Sequence, residues 1–432
     1  MLTFADSRWI RFGGFALMYA AQGLPYGVFM IAVPTWLASR GHSSAEVGGF
    51  IATVSLPWTL KLISGPIMDR FSFLPMGRRR PWVLAAQTGI LVGALLLVVT
   101  PADYFWLLAA GFFINACAAV QDVAVDGMAI DVLPDDERAR ANAFMFGGQS
   151  VGISGSSAGG AFLLAEFGVA AAGIGMLLSV GIIILVPLLF RERRGERLLP
   201  WSDGQALARS EALQQTEWAP IIVDLGRTLI LPMSLLLLVI KFGDRVVVGL
   251  VSASFPVLTT QDLGLDQTFF PEWSAIAGIC AAIFGVFAAV LIDRVGAVRS
   301  LTIGLFAKAL VLGGAGLGVA MWSDPRVLIS IIFLIGFIGQ VLTIATIALF
   351  MMICAPKIAA SQFAIYMAMS NLALSGGAAL LGPVTAAFSF GELFMIAGAV
   401  EVLMVGLMLF FSLERHQSDL TRLFGKADPT PA

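Results

Sequence analysis

Gly65-Pro66-Ile67-Met68-Asp69-Arg70, with Gly77-Arg78-Arg79-Arg80 just beyond, is answered in the second half of the chain by Asp293-Arg294-Val295-Gly296, with Arg299 close behind. Each stretch closes an apolar run with a carboxylate and an arginine, and each is followed by a turn carrying glycine and arginine. The second copy is degenerate: Ala289 stands in place of the glycine, and Arg299 alone supplies the later charge. Pro134 and Pro356 repeat at nearly the same offset, as do Ile153-Ser154-Gly155 and Leu374-Ser375-Gly376. An offset of just over half the chain, almost constant over three landmarks, points to a duplicated chain with two similar halves and a path between them.

The composition says what kind of body is duplicated. The chain is 58% hydrophobic and 12% charged, too apolar for a soluble domain to hide. The apolar runs are continuous rather than alternating, which argues against a transmembrane barrel. Twelve spans are expected, near residues 12–37, 47–67, 82–99, 105–130, 141–164, 169–190, 229–258, 273–292, 301–321, 327–352, 359–384 and 393–411. The fold class is an all-α membrane protein of twelve transmembrane helices in two six-helix bundles. The bundles cover 1–190 and 229–413, joined by a cytoplasmic linker, 191–228, and followed by a cytoplasmic tail, 414–432.

Of the 26 Lys and Arg, twenty fall at the termini or in loops on the same side, two (Arg40 and Arg326) on the other, and four inside spans. The positive-inside rule then places both termini in the cytoplasm. The first apolar run is too long for a signal peptide and carries Gln22 and Pro25 midway, so it reads as a retained span. Cys117, Cys280 and Cys354 lie within spans without metal-ligand spacing and read as small packing residues. The long linker reads as a tether that lets two rigid bundles rock, with Trp201 and Trp218 at the membrane surface. Gly155-x-x-x-Gly159 and Gly376-Gly377 allow close helix approach, either as a sliding contact or as ordinary packing.

Charge inside the membrane is costly and marks candidate function. Asp122 and Asp126 stand at i and i+4 on the fourth span, with Lys61 at similar depth on the second. They form either a proton site tuned by Lys61 or a fixed ion pair. Lys241-Phe242-Gly243-Asp244-Arg245 lies mid-membrane on the seventh span. Its three charges cannot all pair with one another, so some are expected to face water and contact substrate or proton, with Asp244 a candidate for proton coupling and Lys241 and Arg245 sharing a face suited to an anion. Lys308 and Glu401 are expected to pair, with Glu401 as the alternative proton site. Gln22-Gly23-Leu24-Pro25-Tyr26-Gly27 reads as a local break lining the substrate path. Gln149, Gln340 and Asn371 are further candidate hydrogen-bonding residues. Asp69, Arg70 and Arg78, repeated as Asp293 and Arg294, read as a latch holding the inner side shut.

There is no phosphate-binding Gly-x-x-x-x-Gly-Lys-Ser/Thr loop. The two histidines, His42 and His416, fall outside the spans, so a proton carrier within the membrane would be a carboxylate.

Two six-span halves with Asp-Arg turns resemble the major facilitator superfamily. Leu56-Pro57-Trp58-Thr59-Leu60-Lys61, Met68-Asp69-Arg70 with Gly77-Arg78-Arg79-Arg80, Gln121 to Asp126, and Asp131-Val132-Leu133-Pro134 with Glu137-Arg138 look like its peptide/acetyl-coenzyme A transporter group. Lys241-Phe242-Gly243-Asp244 looks like the muropeptide permeases of that group. The resemblance implies proton-driven import of anhydro-muramyl sugar-peptides across the bacterial inner membrane. The implied partners are protons, a small anionic substrate and membrane lipid, with no nucleic acid, no cofactor and no metal, and the protein acting as a monomer. One departure favours other substrates. Gly148-Gln149-Ser150-Val151-Gly152 looks more like the acetyl-coenzyme A branch, which the Gln22 to Gly27 stretch also fits, together with ferric-siderophore importers. A non-transporting membrane sensor is the rival from another class, opposed by the intact intramembrane charges. A membrane enzyme would want a nucleophile–base pair or metal ligands, and neither is found.

Overall fold

The computed structural model describes residues 3–134, 137–208, 210, 225–355 and 359–424, apart from the side chains at 66, 69, 138, 139, 359, 360 and 424. Pro356, Trp218 and residues 428–431 lie outside the described residues, as does the side chain of Asp69. Among the described residues the chain is helical, with one isolated bridge between Thr3 and Arg191.

The first helix, α1 (Arg8–Gly27), passes through a π turn, Val28–Ala32, into α2 (Val33–Ser39). The second span is α3 (Ser44–Ser55), a 3-10 turn (Leu56–Leu60) and α4 (Lys61–Arg70). Then come α5 (Arg80–Val99), α6 (Tyr104–Val132), α7 (Arg138–Phe167), and α8 (Val169–Ile183) with α9 (Leu185–Leu189). Beyond the linker lie α10 (Pro232–Val257), α11 (Phe269–Val295), α12 (Ala297–Leu317) and α13 (Pro325–Ile353). The chain closes with α14 (Ala359–Ala379) and α15 (Leu381–Ala387), then α16 (Phe390–Met408) and α17 (Leu413–Phe424). Helix starts follow the sequence: Ser43 with Glu46 and Ser389 with Glu392 form full capping boxes on α3 and α16.

Ten helical segments among the described residues are long and apolar enough to cross a membrane. The other two expected spans are present as helices, α7 of 30 residues and α10 of 26. At ~1.5 Å per residue both exceed a hydrocarbon layer of ~30 Å. Polarity sets them apart: α7 carries Arg140, Asn142, Gln149 and four serines, and α10 carries Lys241, Asp244 and Arg245.

The expected break at Gln22 to Gly27 is not there. Helix α1 runs through Pro25, and the irregularity follows it as the π turn. The π turn lies directly before Pro34 of α2, and a proline crowds the turn that precedes it. The glycines serve packing instead. A Cβ on Gly23 would stand 2.5 Å from the Gln149 carbonyl oxygen, and one on Gly27 would stand 2.8 Å from the Ser157 nitrogen. Backbones of α1 and α7 therefore touch directly. The same crossing recurs in the second half: a Cβ on Gly249 of α10 would meet the Leu374 carbonyl and the Ala378 nitrogen of α14, the latter at 3.0 Å.

The chain packs as two compact units, Met1–Thr216 with Ser252–Ala282, and Glu217–Val251 with Ile283–Ala432. Each has its own apolar core, one around Phe4, Phe15, Met18 and Met128 and the other around Leu237, Leu305, Phe350 and Tyr366. Within the first unit Gln261 donates to the Ala38 and His42 carbonyls, both at 2.8 Å, and Ser39 bonds Gln267 at 2.8 Å.

Candidate functional site

In the first unit the chemistry gathers where α6 faces α1 and the broken second span. Pro57 removes a donor and the helix tightens into the 3-10 turn, so Lys61 opens α4 as its first residue. There its ammonium pairs with Asp122 and lies 4.6 Å from the centre of the Trp58 ring. Trp58 is held in turn by Asn115 Oδ1 at 3.0 Å, and Asn115 by the Gly111 carbonyl at 2.9 Å. One turn further on, half-buried Asp126 accepts a hydrogen bond from the Tyr19 hydroxyl of α1. Asp126 has no cationic partner among the described residues. Gln121 donates to the Met18 carbonyl at 2.6 Å, which fixes α6 against α1. Gln22 is fully buried and neither of its amide atoms makes a directed hydrogen bond. Tyr26 and Gln149 are half-buried on α1 and α7.

In the second unit four charges close on one another. Asp244 receives Lys241 at 2.5 Å and Lys308 at 2.8 Å, and Lys308 stands 2.6 Å from Glu401. All four are buried, Glu401 completely. The expected pairing of Lys308 with Glu401 is therefore present, and Asp244 extends it to a quartet spanning α10, α12 and α16. The Glu401 contact is an ion pair without hydrogen-bond alignment, which leaves its carboxylate oxygens without a directed donor. Two ammoniums and two carboxylates cancel, so the quartet is neutral. Arg245 is left over: it is half-buried, its Nε lacks a partner, and no carboxylate pairs with it among the described residues. Gln340 lies against Gly285, where an added Cβ would meet its amide nitrogen at 2.6 Å. Asn371 is half-buried on α14 and its carbonyl accepts from Ser375.

At the end of the first unit that bears the N-terminus, the arginine-rich turn is gripped by the start of the linker. Glu192 accepts from the backbone nitrogens of Arg78 at 3.1 Å, Arg79 at 2.7 Å and Arg80, which open α5. The buried Arg80 side chain donates to the carbonyls of Pro187, Arg197 and Leu198. Arg78 lies 3.4 Å from Asp131 at the end of α6, and Arg79 3.6 Å. Residues 191–199, the start of the linker, are thus bonded into the first unit. The cause is local: the Glu192 carboxyl group accepts from three backbone donors at the entry to α5 that have no partner within the helix. Burial pushes the Glu192 carboxyl up, and burial beside Glu192 pushes Glu196 up to about 7. Arg70 is exposed and stacks over Phe71, while Asp293 and Arg294 are exposed and make no ion pair among the described residues.

Sequence reasoning missed Tyr19, Trp58 and Glu192. For Tyr19 a signal existed, because it precedes Gln22 by one turn and so shares its face.

Known proteins bear on this arrangement. The Major Facilitator Superfamily matches residues 15–243 and 237–430. The anhydromuropeptide permease of Escherichia coli strain K12 is 27% identical over 405 residues, which cover 91% of this chain and 78% of the permease. An uncharacterized protein of Haemophilus influenzae is 32% identical over 120 residues, covering 27% of this chain and 28% of that protein. The fold is shared with a POT family transporter solved with a thioalcohol-conjugated peptide, at TM-score 0.68 and 13% identity over 94% of this chain and 95% of that one. A second POT family structure, with 5-aminolevulinic acid, superposes at TM-score 0.69 and 12% identity over the same shares. The chain belongs to the Major Facilitator Superfamily and is a multi-pass membrane transporter.

Proposed function

We propose that this transporter imports an anionic organic solute together with protons, and that the solute is an anhydro-muropeptide from cell-wall turnover. The observation that carries the reading is one of charge balance. Midway along the described helices, Lys61 is matched by Asp122, and Lys241, Asp244, Lys308 and Glu401 match one another. Among the described charges at that depth, Asp126 in the first unit has no cation and Arg245 in the second has no anion. A proton neutralises the first and a substrate anion the second, so loading both removes two costs at once. Asp126 is the proton carrier, oriented by Tyr19. Arg245 is the primary anion contact, and Lys241 joins it only when Asp244 is left to Lys308. Asp122 and Lys61 hold the second and fourth spans together. The Escherichia coli permease, similar over nine-tenths of this chain, supports the muropeptide assignment and a place in the bacterial inner membrane, and the one-sided distribution of Lys and Arg supports cytoplasmic termini. Twelve spans, with α7 and α10 among them, complete the body.

Acetyl-coenzyme A, also an anion, is the second substrate reading, and Gly148-Gln149-Ser150 favours it. Both are tested in proteoliposomes under an imposed proton gradient, with labelled anhydro-muropeptide as substrate and acetyl-coenzyme A as competitor. Wild-type uptake should collapse with a protonophore. Asp126→Asn should lose uphill accumulation yet retain exchange. Uptake indifferent to the protonophore would sink proton coupling. Full competition by acetyl-coenzyme A with no uptake of the muropeptide would transfer the assignment to the second substrate.

A further inference from the structure

The segments that follow the sixth and twelfth expected spans occupy equivalent places in the repeat. Arg193 in the first and His416 in the second stand at nearly the repeat offset. Each reaches the end of its own unit's fourth-helix equivalent. Arg193 donates to the Asp131 carbonyl in the last turn of α6, and His416 Nε2 lies 2.8 Å from the Ile353 carbonyl at the end of α13. Those two carbonyls are related by the same offset that relates Gly27 to Gly249. Both are helix-end acceptors with no partner inside their helix. Each half is therefore closed by a strap whose basic side chain caps the same orphan carbonyl.

The caps differ in chemistry. Arginine keeps its charge at any working pH, whereas histidine titrates. A carbonyl only accepts, so His416 must carry its proton on Nε2. Its other nitrogen, Nδ1, is buried without a partner, and the residue as a whole is fully buried. A second proton would place an unpaired N–H and a charge there. The charged groups of α17 itself give little relief: Asp419 is one turn away and is shared with Arg422 at 3.7 Å, and Glu414 and Arg415 are exposed. Around Ile353 the facing polar group is Gln362, which donates to the same carbonyl at 3.4 Å and to the Tyr366 hydroxyl at 2.8 Å, and both are neutral. None of these is an anion placed on Nδ1.

We propose that α17 is a releasable strap, tied to the end of α13 by neutral His416 and let go when the imidazole takes a second proton. Burial holds the imidazole below its ordinary 6.5, which agrees. A base with a lowered value in the docked state stabilises docking fully above 6.5 and loses that contribution as pH falls toward the docked value. The proposal is independent of substrate and of proton coupling.

Hydrogen exchange of α17 in the full-length protein tests it, with rates corrected for the pH dependence of exchange chemistry. Protection should hold near about pH 8 and fall about tenfold for each unit below 6.5 until the docked value is passed. His416→Gln keeps an N–H for the Ile353 carbonyl without titrating, and His416→Arg copies the first unit. Protection that persists at about pH 5 in either variant, but not in the wild type, supports the strap. Wild-type protection unchanged between the two conditions overturns it, as does equal acid loss in both variants. Should neither variant dock near neutrality, the wild-type series decides alone.

Discussion

Lys308 is the hinge of the buried quartet, and removing it tests whether the quartet is structural. Its ammonium serves Asp244 at 2.8 Å and Glu401 at 2.6 Å, with only 4% of its side chain exposed. Lys308→Met leaves Asp244 with Lys241 but leaves Glu401 as a lone anion with no directed donor. Breaking a buried pair from one side costs about 3–5 kcal/mol. For a body of this size each kcal/mol moves the midpoint by roughly 2–4 °C, so a fall of about 6–20 °C is expected. Glu401→Gln strands Lys308 less severely, because Asp244 remains, and should cost less. The double change Lys308→Met with Glu401→Gln restores neutrality around the surviving Lys241–Asp244 pair and should recover most of the loss. The assay is thermal stability of the purified protein by size-exclusion chromatography after heating, beside uptake in proteoliposomes. Additive losses in the double variant would refute the pairing as a structural unit. A stable double variant that no longer transports would move Glu401 to the proton pathway.

Tyr19→Phe should leave expression unchanged and shift the pH profile of uptake, because Asp126 loses its one described donor; an unaltered profile would remove Tyr19 from the coupling site. Gly27→Leu should prevent accumulation of folded protein, since even a Cβ there stands 2.8 Å from the Ser157 nitrogen; normal stability would contradict the backbone contact. The linker clamp should tighten in acid. Glu196, pushed up to about 7, favours docking when protonated, so docking is strongest below its ordinary 4.5 and weakens as pH rises toward 7; Glu192, also raised, acts with the same sign. Limited proteolysis within 191–204 should therefore quicken from acid to neutral pH, and Glu196→Gln should flatten that response.

What the sequence disclosed follows from the range of the forces involved. Helices, the repeat and the Lys308–Glu401 pair were legible because lipid forbids unsatisfied backbone and stranded charge, and both constraints act through residue type alone. Asp244's double role was not legible. Spacing shows that Lys241 and Asp244 share a turn, but not that α12 brings a second ammonium to the same carboxylate. Glu192 was invisible for a related reason. Among the acids and bases of 191–197 it looks like one more solvated charge, and only the docked backbone of Arg78 to Arg80 gives it a partner. The bend expected at Pro25 failed because α1 runs through that proline, and the irregularity sits instead in the turn before Pro34.

The glycine crossings carry one more consequence. Gly27 against α7 and Gly249 against α14 meet backbone, so both joints rest on close approach of the main chains. The positions near them are then free to diverge. At the offset that carries Gly27 onto Gly249, Tyr19 becomes Lys241, Gln22 becomes Asp244 and Gly23 becomes Arg245. An aromatic hydroxyl, an amide and a hydrogen atom in one half have turned into two cations and an anion in the other, with the scaffold undisturbed. Near-identical frames can in this way become an acidic half and a basic half, and asymmetry of cargo handling needs no asymmetry of architecture.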